Sequence, residues 1–584
     1  MDIFSVLSLI GGLVMFLYGM DLMGDSLKKL AGGRLESILA RLTSARWRGF
    51  LLGLVVTAVI QSSSATTVML VGFVNSGIMT LGQTISIIMG ANVGTTVTAW
   101  LLSTADIQGT AIFIRLLKPE SFTPILAAVG LLMTMMAKTD VKKNTGSILI
   151  GFAILMFGME AMGSSVEGLK DNESFTSILT MFSNPVMGIV VGTVFTAIIQ
   201  SSSASVGVLQ ALALSCAIPY STAIPVILGQ NIGTTITPII SAISGNTDSK
   251  RVAMTCLYIK MVGVIVVVGI FYLLNAIIGF GFMEANASAF DIAVIHTLFN
   301  IISTIILIPF CSFFEKLAIR TVKEKEKREA DVFDTLDERF LDIPSFAVEK
   351  CKELVCEMAN ISAISLRKAT ELLGNFDKET FEEVEALELS VDKYEDKISS
   401  YLIKISVNQL SVKDSKVVTE LLHCVGDIER ISDHSLNIAE AAKEIYDKKL
   451  DFSEKAKKDI EIIAAASIEI LEMAISSLTN EDINIAKRVE PLEHVIDRLK
   501  RKIKAGHVER LKHGDCTMEL GFILSDLLTN YERVSDHCSN IAVCYIEIAN
   551  DSFETHEYLS HLETGEGSDF AKMYEEYKEK YYIA

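Results

Sequence analysis

A polar stretch, Gln61-Ser62-Ser63-Ser64-Ala65-Thr66-Thr67, separates two apolar runs, Phe50 to Ile60 and Val68 to Val74, and it returns as Gln200-Ser201-Ser202-Ser203-Ala204-Ser205. The copies lie 139 residues apart. The same offset carries Gly90-Ala91-Asn92-Val93-Gly94-Thr95-Thr96 onto Gly229-Gln230-Asn231-Ile232-Gly233-Thr234-Thr235, and Gly19-Met20 onto Gly158-Met159. Matches in fixed order at one period mark an internal duplication. The apolar arms, residues 49–60 and 65–76, are each shorter than the ~20 residues that span a bilayer. A hairpin that enters the membrane and leaves on the same side accommodates them, with its polar turn buried against protein or lining a wet cavity.

Charge divides the chain in two. Residues 1–320 hold 17 Lys+Arg and 15 Asp+Glu, against 35 and 56 beyond, so the second part carries nearly all of the net charge of −19. Apolar runs of membrane-spanning character recur only in the first part, at Ile3–Met23, Phe122–Ala137, Ile148–Met162, Val262–Gly281 and Ile292–Phe310. The reading is an all-α protein. A polytopic membrane domain over 1–315 holds repeats at about 4–137 and 146–280 and a last span at 290–314. A linker (316–344), a soluble helical bundle (345–550) and a tail (551–584) follow. The N-terminus lacks a basic leader region, so the first span is expected to be retained. The nine scattered cysteines, with no Cys-x-x-Cys, read as reduced thiols.

Lys and Arg near span ends stay cytoplasmic. Lys28, Lys29, Arg34, Arg41, Arg46 and Arg48 place the loop after the first span inside and the N-terminus outside. Lys138, Lys142 and Lys143, then Lys250 and Arg251, then Lys323 to Arg328 mark further inside loops, whereas Glu167, Asp171 and Glu173 mark an outside one. The Arg115/Lys118 loop, balanced by Asp106 and Glu120, does not discriminate. An odd number of crossings then separates equivalent points, which predicts repeats of inverted topology with re-entrant hairpins in a multi-pass cell membrane protein. Its C-terminal part is cytoplasmic, with membrane lipids around the first part and no nucleic acid as partner.

Helices that restart after each serine turn direct free N–H groups and positive dipole ends at the break, forming a neutral anion cradle from Ser62, Ser63, Ser64, Ser201, Ser202 and Ser203. Gln61, Gln200, Asn92, Asn231, Thr95 and Thr234 supply hard oxygens suited to a cation such as Na+. The glycines around Asn92 and Asn231 are expected to let those helices unwind. No basic residue stands near either break, and Lys260 is expected to snorkel, so a bound anion would be helped by bound cations. Small-residue helix packing explains one serine turn but not two matched ones. An intramembrane hydrolase would need a nucleophile elbow that neither copy has, and His296 is the one histidine in a span. His296 and Asn300 read as a packing pair, and Asp21 and Glu160 as span-end anchors.

The paired Gln-Ser-Ser-Ser and Gly-x-Asn-x-Gly-Thr-Thr motifs resemble those of the type II sodium/phosphate cotransporters. That resemblance implies a non-enzymatic transporter with inorganic phosphate as substrate, Na+ as coupling ion, and the serine motifs as its binding centre. The chain departs from symmetry at Ser205-Val206, opposite Thr66-Thr67, which leaves the roles just after the motif unequal.

The second part is amphipathic helix throughout and also repeats. Glu429-Arg430-Ile431-Ser432-Asp433-His434 matches Glu532-Arg533-Val534-Ser535-Asp536-His537 at an offset of 103, and Glu388/Asp392 and Glu493/Asp497 lie one helix earlier. In all four pairs Glu and Asp stand at i and i+4, where like charges repel and a metal or basic partner would relieve them. This part resembles the PhoU family, which implies two three-helix bundles, a metal site for Fe, Zn or Mg, homodimers or phosphate-signalling proteins as partners, and regulation of phosphate transport. Phosphate export through the same site, or phosphate sensing, are the alternatives.

Overall fold

The computed structural model describes residues 3–31, 46–106, 119–166, 182–215, 218–323, 331–342, 344–408, 410–514, 516–549 and 569–583. Arg34, Arg41, Arg115, Lys118, Glu167, Asp171, Glu173 and most of the Lys323–Arg328 run, on which the orientation rests in part, lie outside them. The chain forms two compact units, Met1–Ile343 and Pro344–Ala584. Both are helical, and the described residues contain no strand beyond one isolated bridge, Pro219 to Asn286.

In the first unit the duplication is visible helix by helix. The first copy runs α1 (Ile3–Ala31), α2 (Arg46–Ile60), α3 (Ser63–Asn75), α4 (Leu81–Gly94), α5 (Thr96–Ser103) and α6 (Pro119–Met136). The second runs α7 (Asp140–Val166), α8 (Pro185–Ile199), α9 (Ser202–Ser215), α10 (Tyr220–Gly233), α11 (Ile236–Ala242) and α12 (Thr247–Ile278). α13 (Ala289–Leu307) and α14 (Cys311–Thr321) follow. Six stretches of this unit are long and apolar enough to cross a membrane: Ile3–Leu30, Leu81–Asp106, Asp140–Val166, Tyr220–Ala242, Thr247–Ile278 and Ala289–Thr321. The arms α2, α3, α8 and α9 are not. Exposed Val186, Val190, Val194 and Ile198 on α8 and Ile265, Leu273 and Ile277 on α12 form an apolar exterior that suits lipid rather than water. The protein is a membrane protein.

Glycines set the packing. A Cβ on Gly90 would lie 1.9 Å from the Phe50 carbonyl oxygen, and one on the equivalent Gly229 would lie 2.1 Å from that of Ile189. Gly94 meets the Leu54 carbonyl and Gly233 that of Thr193, each at 2.5 Å. Each first hairpin arm is thus pressed backbone to backbone on the helix bearing the Gly-x-Asn motif. This corrects the expectation of unwinding: α4 and α10 stay helical through Asn92 and Asn231, with only a turn at Thr95 and Thr234–Thr235, and the glycines serve close approach.

α1 and α7, equivalent helices, pack in the same manner. Gly19 lies on Gly151 and Leu155, while Gly12 lies on Gly158 and Met162. Moving forward along one helix moves backward along the other, so the pair is antiparallel, and each glycine meets the counterpart of the other.

Beyond α14 the chain does not leave this unit. Phe340 is fully buried, its ring 5.5 Å from that of Phe73, and a Cβ on Gly72 would strike it at 2.7 Å. Asn75 donates to Asp337 at 2.7 Å, and its own Oδ1 accepts from the Asn246 amide at 2.8 Å. What the sequence presents as a linker is seated on the end of α3.

The second unit holds α15 (Pro344–Gly374), α16 (Lys378–Ser406) and α17 (Val412–Asp447), then α18 (Glu454–Asn480), the short α19 (Ile483–Ala486), α20 (Val489–His513), α21 (Met518–Ala549) and α22 (Asp569–Lys580). Asp377, Ser411 and Ser453 cap their helices by accepting N–H groups of the first turn. α18 also meets the length and hydropathy of a span. Its Ile460, Ile463, Ile470 and Leu471 are buried within the bundle, and its one buried charge, Asp459, is paired with Arg510 at 3.1 Å, so it is a core helix. All eight described cysteines are free.

Candidate functional site

The break in each hairpin has the same backbone. Gln61 has φ +60° and Gln200 φ +62°, both left-handed, where a non-glycine residue costs roughly 1–2 kcal/mol. Ser62 is extended and caps α3, its Oγ accepting from the Ala65 amide at 3.1 Å. Ser201 does the same for α9 through the Ala204 amide at 3.2 Å. Two of the six serines are therefore engaged as caps. The amides of Ser63 and Ser64, and of Ser202 and Ser203, open their helices ahead of any intrahelical carbonyl. Ser63, Ser202 and Ser203 are buried. Strain repeated at the same point of both copies is a mark of function rather than accident.

The two breaks meet. Ser64 Oγ donates to the Gln200 carbonyl at 3.4 Å. Ser203 Oγ approaches Thr98 Oγ1 at 3.4 Å, and Thr98 in turn donates to Gln61 Oε1 at 2.7 Å. Motifs 139 residues apart in sequence thus line one locus, where serine hydroxyls and helix N-termini of both copies converge.

Beyond the backbone the copies differ. Gln61 is buried and held by Thr98, whereas Gln200 is exposed. Thr57 donates to Thr66 at 3.0 Å in the first copy. Thr196 and Thr237, the counterparts of Thr57 and Thr98, keep buried hydroxyls with no hydrogen-bond partner. In their place Gln230, opposite Ala91, donates to the Ser205 carbonyl at 3.0 Å. Buried oxygens that lack donors suit a hard cation, so Thr196 and Thr237 join the sodium candidates. Thr98, Thr196, Thr237 and Gln230 escaped the sequence reading. Thr98 and Thr237 are equivalent residues a few positions past the Gly-Thr-Thr motif, a signal that extending the repeat alignment would have caught.

Asn92 and Asn231 line one cavity with Lys260 and Asn300. Asn231 Nδ2 donates to the Ile227 carbonyl at 3.1 Å, and Thr95 Oγ1 donates to that of Ala91 at 2.9 Å. One expectation falls here. Lys260 does not snorkel: it is 7% exposed and its ammonium donates to Thr234 Oγ1. A basic residue therefore stands at the Gly-Thr-Thr turn of the second copy. Thr234 is meanwhile committed, because its hydroxyl also donates to the Asn231 carbonyl at 2.7 Å. His296 and Asn300 are both buried, Asn300 donating to the His296 carbonyl at 2.8 Å. Asp21 and Glu160 are exposed.

In the second unit Glu388, Asp392 and Asp433 bring carboxylate oxygens within 4.8 Å of one another. Burial and mutual repulsion raise Glu388 and Asp392, and Glu429 beside them is raised by burial and by Asp433. An all-oxygen set of this kind fits Mg2+ better than Zn2+. The second set is wired differently. Glu493 groups with Glu490 and His494, the last two absent from the sequence reading. Burial pushes Glu493 up to about 7, His494 pulls it back, and Glu490, Asp536 and Asp497 repel it. Asp536 is likewise raised by burial and Glu532. Glu532 pairs with Lys500 at 2.7 Å and Asp497 lies 3.7 Å from Arg501, so basic partners relieve these acids.

Residues 15–164 and 154–286 match the Na+/Pi-cotransporter family, one stretch for each hairpin copy, and residues 355–442 and 460–544 match the PhoU domain. Residues 15–286 belong to the Na+/Pi-cotransporter family and residues 355–544 carry PhoU domains. Among relatives of the chain, YjbB of Salmonella typhimurium, named for inorganic phosphate export, is 22% identical over 95% of this chain and 100% of its own length. The rat sodium-dependent phosphate transport protein 2A is 37% identical over 103 residues, 17% of this chain and 15% of its own. The solved PhoU of Pseudomonas aeruginosa matches 35% of this chain and 97% of its own, with 18% identity and a TM-score of 0.34.

Proposed function

We propose that this protein carries inorganic phosphate across the cytoplasmic membrane coupled to sodium, by alternating access around the two serine hairpins, with its PhoU part regulating the flux from the cytoplasm. The carrying observation is the convergence of two identically strained Gln-Ser-Ser-Ser breaks, joined by Ser64 Oγ and the Gln200 carbonyl. A tetrahedral oxyanion between them would take hydrogen bonds from the Ser63, Ser64, Ser202 and Ser203 amides and hydroxyls, with the helix dipoles offsetting its charge. Sodium is suited to Gln61 and Gln200, to the Asn92/Thr95 and Asn231/Thr234 turns, and to the orphaned Thr196 and Thr237.

The antiparallel packing of α1 on α7 supports an inverted repeat whose hairpins enter from opposite sides of the membrane, and the basic residues Lys28, Lys29, Arg46 and Arg48 after α1 support an N-terminus outside. Regulation is supported by the seat of Phe340 and Asp337 on α3. The same helix carries Ser63 and Ser64 at its other end, and the segment continues directly into the second unit. The acidic cluster at Glu388, Asp392, Glu429 and Asp433 would hold a divalent ion there. The full-length likeness to a protein named for phosphate export favours outward transport as a second reading of direction.

Labelled phosphate flux through vesicles containing the purified full chain tests this. Flux that follows an imposed sodium gradient is expected. Flux indifferent to sodium would leave an uncoupled or differently coupled exporter, and phosphate binding without flux would indicate a sensor.

A further inference from the structure

Lys260 lies near the middle of α12, within a long apolar helix, where an ionisable side chain is costly and is retained for a purpose. Nothing in the proposed cradle of serines, glutamines and asparagines uses it. Its ammonium reaches Thr234 Oγ1 and lines the cavity shared by Asn92, Asn231 and Asn300, so it stands where both copies of the Gly-x-Asn motif face each other. The internal repeat shows what is unusual: at the offset of 139 the first copy has Ser121 in this place, a neutral residue. Thr95, the counterpart of Thr234, bonds only backwards, to the Ala91 carbonyl.

We propose that Lys260 is a built-in cation of the transport site: its ammonium fills, at Thr234, the cation position that the first copy leaves to an ion from solution. A positive charge held in a low-dielectric cavity attracts an anion elsewhere in the same membrane unit more strongly than it would across water. It carries no association entropy, so this chain binds phosphate with one dissolved cation fewer than a symmetric repeat would need. The inference rests on the reading of the hairpins and their cavity as a phosphate path.

The test is calorimetric binding of inorganic phosphate to the purified full chain, in choline and in saturating sodium. Lys260→Met keeps the length of the side chain and removes the charge. It is expected to weaken phosphate at least about tenfold in choline, to regain part of the loss in sodium, and to show a steeper sodium dependence than the wild type. Lys260→Arg is expected to retain binding in choline. Lys260→Gln, which keeps a donor for Thr234, answers the same question if the Met variant does not fold. Equal phosphate affinity of the uncharged variants and the wild type in choline would overturn the inference while leaving the transport reading intact. A wild-type chain that neither binds nor carries phosphate would overturn both.

Discussion

The two hairpins share a backbone and not a wiring. Gln61 and Gln200 adopt the same left-handed turn, and Gly90, Gly94, Gly229 and Gly233 press the same partners. Yet the first copy is tied down by Thr57–Thr66 and Thr98–Gln61. The second leaves Thr196 and Thr237 unpaired, anchors through Gln230, and has Lys260 at its Gly-Thr-Thr turn. The shape of the proposed anion site is therefore a property of the duplication, and its electrostatics are a property of the divergence. A site that opened to each side in turn would gain from such unequal halves, because the two states need not be mirror images.

The largest effect is expected at what the copies share. Ser63→Ala combined with Ser202→Ala removes two hydroxyls of the proposed anion cradle, each hydrogen bond to a charged group being worth ~1.5–3 kcal/mol. Phosphate flux should fall by about a hundredfold or more, the single substitutions costing comparable shares. Loss confined to one serine would break the equivalence of the hairpins.

Next come the packing glycines. Gly90→Ala and Gly229→Ala each force a carbonyl away, and each should cost about 1–3 kcal/mol, read as thermal unfolding of the detergent-solubilised chain. Unequal costs would show that the two copies are not packed alike.

The wiring gives a smaller, signed contrast. Thr98→Val breaks the bond to Gln61 and should destabilise the sodium-free protein by about 1 kcal/mol. Thr237→Val removes a hydroxyl that is buried and unpaired, and should be neutral or stabilising without sodium while weakening the effect of sodium on unfolding. The same cost for both substitutions would remove the distinction drawn here.

Two further effects concern the segment 331–342 and the second unit. Phe340→Ala empties the seat on Gly72 and should alter flux without changing phosphate affinity; unchanged flux would separate that segment from transport. Glu493 is pushed up to about 7 by burial, so the folded state holds its proton where the unfolded chain has lost it. Its contribution to stability is complete below the unfolded value near 4.5 and is lost as pH rises through about 7. Glu493→Gln should flatten the fall in unfolding temperature across that window, a shift on the order of a few degrees.

Much of this was legible in the residues. The offset of 139 between motifs reappears as bounds of α2 to α5 that match those of α8 to α11 to within one residue, and a polar turn between arms too short to span reappears as a helical hairpin. Identical local sequence imposes identical local backbone, so such features transfer directly. Long-range side-chain partners do not transfer in this way. A lysine within an apolar helix has the same appearance whether it snorkels or turns inward to Thr234, and the glycines flanking Asn92 read equally as hinges or as contact points. Only packing separates these. The acidic pairs show the same limit: Glu388, Asp392 and Asp433 converge as their spacing suggests, while Lys500 reaches Glu532 from another helix.

The central claim is that an oxyanion lies between the two serine turns. Arsenate, a heavier tetrahedral oxyanion, makes it directly visible through anomalous scattering from a crystal of the sodium-loaded full chain. The account predicts a single arsenic peak within hydrogen-bonding reach of the Ser63–Ser64 and Ser202–Ser203 amides. A peak elsewhere in the membrane unit, with those amides unoccupied, would contradict it.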